Sequence, residues 1–200
     1  HTSSPHYFQN ALENETEAQF VDRLVLDLEK LIEDEGPDNI GAFIAEPVMG
    51  AGGVIIPPDT YFEKIIPLLK KNSIILIADE VICGFGRTGN MWGSQTNNIS
   101  PDIITCAKAL SSAYAPISAV LLSAQITQEV EKQANSLGQF GHGYTYSGHP
   151  VPAAVALRTM ELMEERNIID HVQKVSSLFT DRIDNLASYK CVGTVSYTHL

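Results

Sequence analysis

Basic residues are scarce and thinly spread. Thirteen Lys and Arg stand against 24 Asp and Glu, a formal net charge of −11. Without a basic stripe the chain lacks the electrostatic footprint of a nucleic-acid binder. Long apolar runs are missing too: none approaches the ~20 residues that cross a bilayer as a helix, so no membrane partner is expected. Cysteine occurs three times, at Cys83, Cys106 and Cys191. An odd number with no CxxC pair argues against a disulfide scaffold and points to reduced thiols and a cytoplasmic setting. The six histidines show no metal-ligand spacing. His142 and His149 lie seven apart in a glycine-rich stretch, and no metal site is expected there. Repeats, low-complexity tracts and linkers are also absent. The chain opens HTSSPHYFQN with no initiator Met, and both ends read as cut. At the far end, VSYTHL fits the translation of a transposon-derived sequencing adapter, so residues 195–200 are expected to be a non-native tail.

What remains is globular in character: 44% hydrophobic and 18% charged residues over 200 positions, enough for one domain with a real core. Thr16-Glu17-Ala18-Gln19 is a capping box. Phe20, Val21, Leu24, Val25, Leu28, Leu31 and Ile32 then recur at helical spacing until Gly36-Pro37 stops them. GAFIAEPV reads as a buried strand ending at Glu46, and MGAGGVIIPP as a glycine- and proline-rich loop. Pro58 to Lys71 reads as a helix that Pro67 should kink. SIILIADEV is a continuous apolar run closed by acids, the pattern of a central parallel strand. DIITCAK and PISAVLLS are two more strands. A helix near Ala124–Ser136, a glycine-rich loop (GQFGHGYTYSGHP) and two long helices, Val151–Arg166 and Ile168–Ser188, complete the chain. Strands alternating with helices predict an α/β domain with a mostly parallel sheet and flanking helices.

Two charged residues stand out against this pattern. Asp79 closes the SIILIAD run, at the carboxyl end of a strand, the edge where open α/β sheets bind ligands. It either pairs with a cationic ring nitrogen or caps the next turn. Lys108 follows DIITCA among small residues, with no other charge between Asp102 and Glu129. A poorly solvated lysine is a nucleophile toward aldehydes; the alternative is a lysine that snorkels to the surface. Together the two residues are the equipment of a pyridoxal phosphate enzyme, the amine holding the aldehyde and the acid keeping the ring nitrogen protonated. GHGYTYSGHP offers glycine amides and the hydroxyls of Tyr144, Thr145, Tyr146 and Ser147 as a phosphate cradle, or is an ordinary loop. Gly84 to Gly89 matches GxGxxG, but no helical pattern follows it, so the glycines are expected to shape a loop and not a dinucleotide site.

The stretches AFIAEPVMGAGGVIIPP, ILIADEVICGFGRTG, PDIITCAKALSSAY and HGYTYSGHP, in that order, resemble the class III aminotransferases of fold type I. The wording is nearest to the amine or ω-amino acid transaminases that commonly use pyruvate. The resemblance implies a partial cofactor-binding large domain over residues 1–190, with the linker to a small domain beginning near its end. It implies pyridoxal 5′-phosphate as cofactor, Lys108 as the Schiff-base lysine and proton shuttle, Asp79 on the ring nitrogen, and Val81 against one ring face. Thr145 would reach the neighbour's cofactor phosphate across a homodimer interface. Glu46 would pair with a mobile arginine that admits or excludes carboxylate substrates. The implied reaction moves an amino group from an amine or ω-amino acid to a keto acid, with pyruvate the acceptor expected of that branch; an aminomutase or racemase on the same fold, or an inactive incomplete fragment, are the rival expectations. Two departures stand beside the lysine, where the family usually reads glycine and this chain has Ala109 and Ala113.

Overall fold

A computed structural model of the chain describes residues 1–192; the expected tail from Val195 lies outside the described residues. A single helical turn, α1 (Tyr7–Asn10), not anticipated from the sequence, opens the structure. It is followed by α2 (Glu17–Glu35), which begins at the expected capping box: the Gln19 N–H donates to Thr16 Oγ1, and the Thr16 N–H donates to Gln19 Oε1. Gly36, with φ +82°, ends it. Within the helix, Arg23 forks back onto Glu15, just before its start, with two bonds of 2.7 Å. The hydrogen-bonded guanidinium holds the Glu15 carboxyl down to about 2.

Among the described residues the sheet has four strands in the order β1 (Ala42–Ala45), β2 (Ile75–Asp79), β3 (Ile103–Cys106) and β4 (Ala119–Leu122). The first three run parallel and β4 is antiparallel to β3. Between β1 and β2 lies α3 (Tyr61–Lys71), which starts three residues later than the sequence pattern indicates and runs on through the solvent-facing Pro67. A one-turn helix, α4 (Gly93–Thr96), precedes β3. After β4 come α5 (Ala124–Leu137), α6 (Pro150–Glu165) and α7 (Ile168–Asp184). These three match the sequence expectation within a few residues. No helix among the described residues is long and apolar enough to cross a membrane.

Burial alternates along β2 with the period of two that a strand imposes. Leu76 and Ala78 are buried, and Leu76 packs with Phe20, Leu24 and Leu28 of α2 and Ile65 and Leu69 of α3. Each such side chain contributes ~1.5–3 kcal/mol by leaving water. The other face carries Ile44, Ile77, Asp79, Thr105 and Val120, brought into line by the strand register. Ile44 is 59% exposed and Val120 61%. The continuous apolar run therefore packs on one side only among the described residues, and Asp79 stands on the open side. A second core joins the loop after β2 to α6, through Phe85, Cys106, Leu110 and Ala156.

Candidate active site

Asp79 is the last residue of β2 and pairs in register with Thr105 of β3. Its Oδ1 accepts the Val81 N–H at 3.1 Å, which aims the carboxylate. Oδ2 has no protein partner among the described residues. A half-buried acid with one oxygen fixed and one free is suited to an external cation or N–H donor. The Val81 side chain is itself half-buried just beyond the strand end.

Lys108 lies two residues past the end of β3 and opens a short 3₁₀ turn, Lys108–Leu110. Its backbone is left-handed, with φ +46°, so strand alternation no longer dictates where the side chain points. The side chain is exposed, and its amine has no hydrogen-bond or ion-pair partner among the described residues. The turn is supported from below: Leu110 is buried with Ala156 of α6, and the Ser111 hydroxyl donates to the Ala115 carbonyl at 2.6 Å. The adjacent ends of two parallel strands thus carry a free carboxylate oxygen and a free amine, the amine exposed at the surface, which is the alternative the sequence left open for Lys108.

Glu46 follows β1 directly, so the strand stops one residue short of the expected end. Its Oε2 accepts the Gly50 N–H at 2.9 Å. A cavity of about 630 Å³ runs along the free side of β1, walled by residues 1–5, and reaches both Glu46 and Asp79. Lys108, Val81 and Thr145 do not line it. Residues 138–150, including Thr145, are all exposed, so the loop does not pack on the sheet. Two backbone amides of the loop and the helix start behind it are already engaged. The Tyr144 N–H donates to Ser147 Oγ at 2.9 Å, and the first free amide of α6, Val151 N–H, donates to His149 Nδ1 at 3.2 Å, while the Ser147 O–H stays available. Thr145 remains without a partner among the described residues.

The Gly84–Gly89 stretch is a buried series of turns. A Cβ at Gly84 would come within 2.8 Å of the Glu80 carbonyl oxygen, and Gly86 and Gly89 have φ of +93° and +85°. Gln173 of α7 donates to the Gly89 carbonyl at 2.6 Å. Gly84 serves close packing and Gly86 and Gly89 serve turns, as expected of glycines that shape a loop; the one-turn α4 starts four residues after Gly89. No group of three His, Cys, Asp or Glu among the described residues could hold a metal. Sequence reasoning missed Glu80, a fully buried acid beside Asp79. The only signal was two adjacent acids at a strand end, of which one had to face inward.

A carboxylate, an amine and a small side chain at neighbouring strand ends, with partner-free atoms on the first two, fit a pyridoxal phosphate ring in donor chemistry. The comparisons with known proteins point the same way. The family model described as Aminotransferase class-III matches residues 3–197. Gamma-aminobutyrate transaminase 1, mitochondrial, from Oryza sativa subsp. indica is 53% identical over 195 residues, which are 98% of this chain and 38% of that protein. Vanillin aminotransferase from Capsicum frutescens is 50% identical over the whole chain and 44% of its own length. A solved ω-transaminase from Pseudomonas jessenii in complex with PMP superposes on the whole chain with a TM-score of 0.96 at 47% identity, and is covered to 44%. The chain therefore spans less than half the length of these relatives.

Proposed function

Because this chain belongs to the class III aminotransferases, a family that works with pyridoxal phosphate, we propose that it carries the cofactor-binding core of an enzyme moving an amino group from an amine or ω-amino acid to a keto acid, with pyruvate as the acceptor. The observation behind this reading is the pair of free groups, the Asp79 oxygen and the Lys108 amine, at the ends of neighbouring parallel strands. When bound, pyridoxal phosphate supplies an aldehyde for an amine to hold and a ring that withdraws electrons from the substrate carbon. Lys108 is the amine that holds the aldehyde. Lys108 would also serve as the base at the substrate carbon, taking a proton there and later returning one; a positioned base of this kind contributes about 10²–10⁴-fold. Asp79 would hold the proton of the ring nitrogen through its free oxygen, and Val81 would lie against the ring.

Thr145 stands on a fully exposed loop, which suits a role in a homodimer, with its hydroxyl offered to the phosphate bound by a second copy. Glu46, in the same cavity as Asp79, is the acid facing the substrate carboxylate's arginine. The relatives are named a gamma-aminobutyrate transaminase and a vanillin aminotransferase, which favours amino transfer over the mutase and racemase readings. Three free thiols suit a reducing compartment, the cytoplasm on the sequence reading; the rice relative carries a mitochondrial name. Residues 1–190 serve as part of the large domain.

Borohydride reduction in the presence of pyridoxal phosphate, followed by peptide mapping, tests the assignment. A pyridoxyl adduct on Lys108 that disappears in Lys108→Ala is the expected result. Labelling spread evenly over surface lysines overturns it. The exposed apolar side chains of β1 and β4 favour a second reading for the chain by itself, self-association in place of catalysis. Oligomer size measured together with cofactor absorbance separates the two.

A further inference from the structure

Glu80 is fully buried, and the chemistry proposed above leaves it without a task. Its hydrogen bonds reach three neighbouring segments: β3, the loop at Gly84 and the start of α4. The N–H donates to the Thr105 carbonyl at 2.9 Å, one step beyond the Asp79–Thr105 pair, which ties the end of β2 to β3. The carbonyl accepts the Gly84 N–H at 2.9 Å. Oε2 accepts the Gly93 N–H at 2.8 Å, and Oε1 accepts both the Ser94 N–H at 2.6 Å and the Ser94 hydroxyl. Three converging donors compensate a carboxylate for its removal from water. They also leave it no freedom to turn.

Successive side chains on an extended strand point to opposite faces. With Glu80 clamped on the covered face, the peptide joining it to Asp79 is fixed, and Asp79 is held toward the open face. We propose that Glu80 is the positioning residue for Asp79, acting through the backbone from the side of the sheet away from the cofactor. The proposal rests on the reading of Asp79 given above. Glycine at position 84 belongs to the same device, since a Cβ there would come within 2.8 Å of the Glu80 carbonyl oxygen that the Gly84 N–H donates to.

Amide hydrogen exchange on the full chain, without added cofactor, tests this in the native protein, Glu80→Gln and Ser94→Ala. The probe is the Val81 N–H, which donates to Asp79. The reference is the Leu76 N–H, which donates to Asp102 at the other end of the same strand. Glutamine puts an N–H where an oxygen had accepted, so one backbone donor loses its partner. The expected result is about tenfold faster exchange at Val81 in Glu80→Gln and about threefold in Ser94→Ala, with Leu76 changing less than about twofold. Val81 and Leu76 accelerating together, or Val81 unchanged, overturns the proposal. Should Glu80→Gln fail to fold, Ser94→Ala decides by the same criterion. No cofactor enters the measurement, so its failure is distinct from a failure of the Lys108 trapping experiment.

Discussion

The ends of β2 and β3 lie side by side and are built by opposite means. At the end of β2 the side chains are held by partners: Asp79 by the Val81 amide, Glu80 by Gly93 and Ser94. Beyond the end of β3 the shape resides in the backbone. Lys108, Ser112 and Ala113 all have left-handed φ, of +46°, +49° and +63°, and each costs about 1 kcal/mol in a residue with a side chain. Lys108 itself is exposed and unclamped. The difference fits the proposed work. An acid that must keep one aim on a ring nitrogen needs a rigid seat, whereas an amine that is held, released and used as a base needs room to swing.

The sharpest way to break this contrast is to remove one residue from each end and measure urea unfolding. Glu80→Ala strands two buried backbone N–H groups and a hydroxyl, and is expected to cost about 3 kcal/mol. Lys108→Ala removes an exposed, unpartnered amine and is expected to change stability by no more than about 0.5 kcal/mol. Equal costs would mean that the β3 end is clamped as firmly as its neighbour.

Native thiols report on the same contrast without mutation. Cys83 lies four residues past Asp79, fully buried, with its thiol donating to the Val48 carbonyl at 3.2 Å. Cys106 is the last residue of β3 and is also buried. Burial pushes the Cys83 thiol up to about 11 and raises that of Cys106 as well, so neither reacts until its surroundings open. Exposed Cys191 should be alkylated first. Cys106 should follow about tenfold faster than Cys83 if the strained end opens more readily. The reverse order would assign the looser end to β2.

Much of this arrangement was legible in the sequence because it is local. The capping box at Thr16 to Gln19 and the helical spacing behind it need nothing from elsewhere in the chain. Asp79 and Lys108 could be placed at strand ends because ILIAD and IITC are apolar runs closed by charge. Glu80 was hidden because its partners come 13 and 14 residues later, on a helix too short to show periodicity. The open face of the sheet was hidden for another reason. A run of apolar residues signals burial on both sides, and only register and neighbours show which side is covered. The left-handed backbone at Lys108 had no signal either, since the KALSSA stretch contains no glycine.

The smallest expected effect locates the strain most finely. Ala109 and Ala113 both stand where the resembling family usually reads glycine, yet only Ala113 is left-handed. Ala109 sits inside the 3₁₀ turn. Ala113→Gly relieves the clash of Cβ with its own backbone and should stabilise the chain by about 0.5–1 kcal/mol. Ala109→Gly frees the unfolded chain without relieving anything, and should destabilise it by a similar amount. Opposite shifts in the urea midpoint would fix the strain at one residue of the turn. If both glycines stabilise, the strain is spread across the whole turn, and Lys108 is held in its left-handed conformation by its neighbours on both sides.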